Sequence, residues 1–126
     1  MPAGSAPVIH HVALEVAPAQ ERACIAFYSL LGFREVDPPG SLADRAAWLE
    51  REDTQIHLLR TDEPAALPQG HAAVVVPRYE QTLQELQAAG HEPEPRSAHW
   101  GSPRAFVHDP AGNRVELMEF PPGARP

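Results

Sequence analysis

The chain has 126 residues, 43% of them hydrophobic, and a formal net charge of −7. That length holds one ordinary domain or two very small ones, with enough apolar material for a packed core, and no apolar run approaches the roughly 20 residues of a membrane-spanning helix. The acidic balance, with ten basic residues that form no cluster along the sequence, argues against nucleic acid and anionic membrane as partners.

The first seven residues lack the basic start and apolar stretch of a signal peptide, so a cytoplasmic protein is expected. Residues 8–16, rich in β-branched side chains, read as a strand. Pro18 suits a first helical turn, and residues 19–31 place Ala23, Phe27, Leu30 and Leu31 at helical spacing before Gly32 can stop the helix. Cys24 is the lone cysteine, which rules out an internal disulfide, and on this helix it reads as a small buried apolar residue. Phe27 and Tyr28 read as helix packing. Three strand-like runs follow at 33–36, 45–51 and 54–60, the first two separated by the breaker Pro38-Pro39-Gly40.

Residues 61–69, with Pro64 and Pro68, read as a linker between a first module (8–60) and a second (70–120). In the second module, 71–76 is a strand and 78–89 an amphipathic helix with Leu83 and Leu86 inward, stopped by Gly90. Residues 91–95 are a short extended segment. Residues 104–108 and 114–120 are strands joined by the turn Asp109-Pro110-Ala111-Gly112-Asn113. The tail, 121–126, is expected to be loose.

The order is β-α-β-β-β, used twice, and spacing supports the repeat. His11 precedes Gly32 by 21 positions and His71 precedes Gly90 by 19. His11 precedes His57 by 46 positions and His71 precedes Glu116 by 45. Each half opens on a histidine and places a histidine or glutamate at the same offset in its fourth strand.

Strand alternation puts His11 with Ala13 and Glu15 on one face of the first strand, opposite Val12, Leu14 and Val16. His57 shares a face with Gln55 and Leu59, His71 with Ala73 and Val75, and Glu116 with Met118. Each of these four lies opposite the more apolar face of its strand, as residues lining a shared pocket do. Three imidazoles and one carboxylate suit a single divalent Ni, Zn, Fe(II), Co or Mn ion, and suit Ca or Mg poorly. The ligands come from four strands and form no compact motif, and scattered histidines are more often surface or hydrogen-bonded residues.

The segments His11-Val12-Ala13-Leu14-Glu15-Val16, Phe27-Tyr28-Ser29-Leu30-Leu31-Gly32-Phe33, Gly70-His71-Ala72-Ala73-Val74-Val75 and Phe106-Val107-His108-Asp109-Pro110-Ala111-Gly112-Asn113-Arg114-Val115-Glu116-Leu117 resemble the vicinal-oxygen-chelate superfamily. That superfamily includes glyoxalase I, methylmalonyl-CoA epimerase, fosfomycin-resistance thiol transferases, extradiol dioxygenases and bleomycin-resistance proteins. The resemblance spans nearly the whole chain and is specific for the fold more than for a reaction. It implies an α+β protein in which two βαβββ modules form a U-shaped, half-barrel mixed sheet. It implies a metal held by His11, His57, His71 and Glu116, and a homodimer in which module one of one copy closes over module two of another.

The chemistry implied is metal-assisted handling of a small substrate through two neighbouring oxygens. The leading expectation is a glyoxalase- or epimerase-like lyase or isomerase, with Glu116 or His57 as the base. Two features depart from glyoxalase proper. His57 stands where a glutamate is usual. Glu15 stands where glutathione-using relatives carry arginine, and its charge favours a neutral or cationic substrate. An extradiol Fe(II) dioxygenase is the alternative, with His11, His71 and Glu116 as ligands and His57 as acid or base. Against it, the tyrosine usual in that class near Phe106 is absent. A metal-free small-molecule or antibiotic binder is a third reading. Trp48 either lines the pocket or covers the sheet, and Phe106 lies at the pocket. Arg104 either reaches a substrate anion or, the favoured reading, pairs with surface acids. His10, His91, His99 and His108 are expected in solvent, and His99-Trp100-Gly101 is a candidate lid.

Overall fold

A computed structural model describes residues 7–123. The first repeat comprises β1 (His11–Val16), α1 (Glu21–Ser29), β2 (Arg34–Val36), β3 (Ala46–Arg51) and β4 (Thr54–Arg60). The second comprises β5 (Ala72–Val75), α2 (Tyr79–Ala88), β6 (Glu94–Arg96), β7 (Arg104–His108) and β8 (Arg114–Met118). Each repeat folds into an open four-stranded mixed sheet, ordered β1-β4-β3-β2 and β5-β8-β7-β6. The architecture is the α+β pair of βαβββ units that the sequence predicts.

Both helices end in the same way. Gly32 and Gly90 take φ of +94° and +93°, a conformation glycine adopts at little cost. The amide after each glycine reaches back to the last turn, Phe33 N–H to Tyr28 O at 3.1 Å and His91 N–H to Leu86 O at 2.9 Å. The helices shut two residues and one residue earlier than spacing suggested, because these caps consume the final turn.

Other parts of the chain also differ from the sequence reading. The first strand starts at His11, not at residue 8, and Val8 and Ile9 are exposed. The last strand ends at Met118, not at residue 120. There the buried Ser102 hydroxyl accepts from the amides of Glu119 and Phe120, diverting them from the ladder. A short 3-10 helix, Gly40–Asp44, follows the Pro-Pro-Gly breaker where only a loop was expected. Residues 121–123 are exposed and lie outside any helix or strand; 1–6 and 124–126, parts of the signal-peptide and tail readings, lie outside the described residues.

One core joins the two repeats. Cys24, Phe27 and Tyr28 of α1 and Tyr79 and Leu86 of α2 pack with Val16, Leu49, Leu58, Val107, Val115 and Leu117 from the sheets. Full burial of each large apolar side chain contributes about 1.5–3 kcal/mol. Polar ties cross between the repeats as well. Tyr28 Oη donates to Asp109 Oδ2 at 2.8 Å, Asn113 Nδ2 donates to the Glu15 carbonyl at 3.1 Å, and Arg51 Nη1 donates to the Val75 carbonyl at 2.7 Å. The apolar face of β1 packs only at Leu14 and Val16. Val12, 36% exposed, instead borders with Val8 and Ile9 a cleft of about 660 Å³ beside β5.

Candidate metal centre and substrate face

Strand register places the candidate residues in two equivalent sets. In the first sheet, Ala13 pairs with His57, and His57 with Trp48. In the second, Ala73 pairs with Glu116, and Glu116 with Phe106. His57 therefore matches Glu116, and Trp48 matches Phe106. His11 and His71 stand two residues before Ala13 and Ala73. The polar faces of the two sheets thus carry the same pattern of histidine, second donor and aromatic ring.

In the first set His57 is sandwiched. Its ring stacks on Trp48 at 4.1 Å with 2° between planes, and on His11 at 4.0 Å with 18°. Trp48 thus covers one face of the His57 ring. His57 is buried, and burial, followed by the charges of His11 and His10, lowers its pKa below the usual histidine value. It is held neutral at neutral pH.

A chain of side chains fixes its tautomer. Arg34 Nη2 donates to Glu50 Oε1 at 3.1 Å, and Gln55 Nε2 donates to Glu50 Oε2 at 3.0 Å. A carboxylate only accepts, so the Gln55 amide must turn its NH2 to Glu50 and its oxygen to His57. His57 Nε2, 2.8 Å from that oxygen, therefore carries the proton. Its Nδ1 keeps the lone pair.

In the second set His71 Nε2 lies 3.0 Å from Glu116 Oε1, and its Nδ1 lies 2.8 Å from the Gln69 carbonyl oxygen. The carbonyl only accepts, so Nδ1 carries a proton; Nε2 faces the carboxylate, which also only accepts, so that contact is a hydrogen bond only when Nε2 is protonated as well. A metal-ligating histidine is held in this manner, with its far nitrogen fixed by an acceptor. Arg104 Nε donates to Glu116 Oε2 at 2.9 Å and its Nη1 to the Ser97 carbonyl at 2.8 Å. The favoured reading of Arg104, pairing with surface acids, is corrected: its partner is the buried Glu116. Burial pushes the Glu116 pKa up, but the hydrogen bonds and charges of Arg104 and His71 outweigh it, and the net shift is downward.

Three imidazoles and one carboxylate are donors of the kind that suit a divalent ion. Two donors about 2.0–2.1 Å from one ion, at tetrahedral or octahedral angles, converge to roughly 3.0–3.4 Å of each other. Face-to-face rings such as His11 and His57 hold their lone pairs in near-parallel planes instead, so as placed they do not converge. As placed, His11 and His57 therefore cannot both bind one ion. Among the described residues of one chain, no three His, Cys, Asp or Glu side chains come together as a metal site. The structure brings His11 to His57 and His71 to Glu116, and does not bring the two pairs together.

Glu15 is engaged by the backbone of the linker. Its Oε1 accepts from the Ala65 amide at 2.8 Å and holds the segment between β4 and β5. His91 is half-buried with its ring edge-on to Phe27 at 4.9 Å, not in solvent, whereas His10, His99 and His108 are exposed. Trp100 of the candidate lid is fastened by its indole N–H to the Phe120 carbonyl at 2.8 Å. Sequence reasoning passed over Gln55, Glu50 and Arg114. Alternation had already put Gln55 on the face of His57 and Arg114 on the face of Glu116, which was the signal available.

Comparison with known proteins agrees with this geometry. The profile of the glyoxalase-like domain matches residues 11–118. No curated protein sequence matches the chain significantly. A structure from Bacillus anthracis, assigned to the glyoxalase family, is similar at 27% identity over 90% of this chain and 94% of that one, with a TM-score of 0.79. A glyoxalase family protein from Enterococcus faecalis is similar at 25% identity over 89% and 97%, with a TM-score of 0.68. The fold is shared with the fosfomycin resistance protein FosX of Listeria monocytogenes, at 16% identity over 92% of both chains and a TM-score of 0.71. By the profile match, the repeated fold and the paired sets in equivalent register, the chain belongs to the glyoxalase-like domain family of the vicinal-oxygen-chelate superfamily.

Proposed function

We propose that this protein is a metal-dependent lyase or isomerase of glyoxalase-like type, acting on a small substrate with two neighbouring oxygens. The observation that supports this reading is the His71–Glu116 pair on one sheet and the tautomer-fixed imidazole of His57 at the equivalent position of the other. His11, His71 and Glu116 would hold the ion. Once bound, a divalent ion of the Ni, Zn, Fe(II), Co or Mn group supplies Lewis-acid polarisation of the substrate oxygens.

His57 is the better of the two candidate bases. Its Nδ1 lone pair is free, and its stack between Trp48 and His11 fixes the ring plane. The transferred proton would enter at Nδ1, and the resulting charge would spread through Nε2–H to Gln55 and Glu50. Glu116, with both oxygens engaged and a lowered pKa, is a weak base and a good ligand.

The complete site is proposed to form between two copies, with His11 and His57 from one and His71 and Glu116 from the other. Support comes from the separation of the two sets within one chain and from the apolar Val8, Ile9 and Val12 left uncovered on β1 and before it.

The deciding experiment is metal analysis of the purified protein beside His71→Ala, followed by deuterium uptake from solvent into 2-oxo substrates such as methylglyoxal with several thiols. A wild type that folds but retains no metal overturns the reading. A second reading shares the donor set: an extradiol Fe(II) dioxygenase with His57 as acid or base. Ring cleavage of a catechol under oxygen, without deuterium uptake, would select it.

A further inference from the structure

The sequence scatters its ten basic residues, yet the fold gathers three of them around one ring. The guanidinium carbons of Arg96, Arg104 and Arg114 lie 5.4, 5.4 and 3.6 Å from the centroid of Phe106. The ring of His71 stands nearly perpendicular to that ring, with 5.0 Å between centroids. Phe106 pairs in register with Glu116, so the cluster stands on the substrate face of the second sheet.

The charges on that face do not cancel. Arg96 pairs with Glu94 at 3.3 Å and Arg104 with Glu116 at 2.9 Å. The half-buried side chain of Arg114 has no hydrogen bond or carboxylate partner among the described residues; it lies on the face of Phe106. This happens in a chain with seventeen acidic residues, where acids are plentiful elsewhere. A phenyl ring has two faces and satisfies only part of the field of three guanidiniums. Held against the ring, a guanidinium loses side-chain freedom in advance while its in-plane N–H donors stay available for a forked contact.

We propose that Arg114, laid on Phe106 beside His71 and Glu116, receives an oxyanion of the substrate: a carboxylate, phosphate or phosphonate group. This rests on reading the polar face of the second sheet as the substrate site, and it reverses the expectation of a neutral or cationic substrate drawn from Glu15. That residue is turned to the Ala65 amide and does not repel an anion here. Binding of an anion would leave the Arg104–Glu116 pair intact and neutralise the guanidinium of this cluster that no carboxylate pairs.

The test uses metal-stripped protein, with inorganic phosphate and malonate as separate probes, read by calorimetry and by the guanidinium NMR signal of Arg114. Saturable binding of either probe that moves the Arg114 signal is expected. Phosphate alone would assign a tetrahedral group, and malonate alone a planar one. Arg114→Gln should weaken binding about tenfold or more, Arg114→Lys should fall between, and Arg45→Gln, at an exposed arginine, should change nothing. His71→Ala should lose metal yet keep anion binding, which separates this inference from the metal reading. Absence of saturable binding in the wild type, or equal binding by a folded Arg114→Gln, overturns it.

Discussion

The hydroxyl of Tyr28 donates to the carboxylate of Asp109 across 2.8 Å, in the protein interior and 81 residues away along the chain. It joins the two most recognisable stretches of the sequence, Phe27–Phe33 and Asp109–Asn113. Asp109 also accepts from the amides of Ala111 and Asn113 and from Asn113 Nδ2. The two signatures thus fasten helix α1 of one repeat to the β7–β8 turn of the other. Their specificity for fold, and not for reaction, has this physical basis.

Tyr28→Phe should therefore destabilise the chain modestly, by about 1–2 kcal/mol, since Asp109 keeps three other donors. Asp109→Ala strands the Tyr28 hydroxyl and the Asn113 amide together and should cost about 3 kcal/mol or more. Urea unfolding midpoints with an unchanged slope check both.

His57→Gln tests the division of labour at the site. If His57 is the base and not a ligand, the variant should bind metal as wild type does while deuterium uptake into substrate falls about 10²–10⁴-fold. His71→Ala should lose the metal itself. Loss of metal in His57→Gln would return His57 to the ligand set.

Gln55→Leu removes the acceptor that fixes His57 Nε2–H. Nitrogen-15 NMR of the apo protein should show the Nε2–H tautomer in the wild type and a mixture in the variant. An unchanged tautomer in Gln55→Leu would remove Gln55 from any orienting role.

The lowered His57 pKa also sets a pH dependence. The fold favours the neutral ring, so this contribution to stability is complete above the ordinary histidine value and is lost as pH falls through that value to the folded one. Activity needing neutral His57 should persist to more acidic pH than free imidazole would allow. Trp48→Ala, which uncovers the ring, should move that acid limb upward.

Mixing copies tests the assembly. If sites are shared, His11→Ala and His71→Ala dimers, each without metal, should regain about a quarter of wild-type metal after subunit exchange, since half the dimers are mixed and each has one intact site. Sites contained in single chains would regain none.

Cys24 provides a check on the core. Burial, then the charge of Asp109, raises its thiol pKa to about 12. The native protein should resist alkylation at pH 8, and unfolded protein should react promptly.

Some of this was written in the sequence. Alternation along His11, His57, His71 and Glu116, and offsets of 46 and 45 positions, gave the repeat and the strand face of each candidate ligand. Gly32 and Gly90 gave the helix ends, since few other residues adopt their positive φ. These are local facts, set by a residue and its near neighbours. What alternation cannot give is who meets whom across strands. Pairing in register stacked Trp48 on His57, tied Arg104 to Glu116, drew three arginines to Phe106 and turned Glu15 to the linker. The separation of the four expected ligands into two pairs was equally invisible, because it depends on how two sheets sit against each other and not on any residue's own preference.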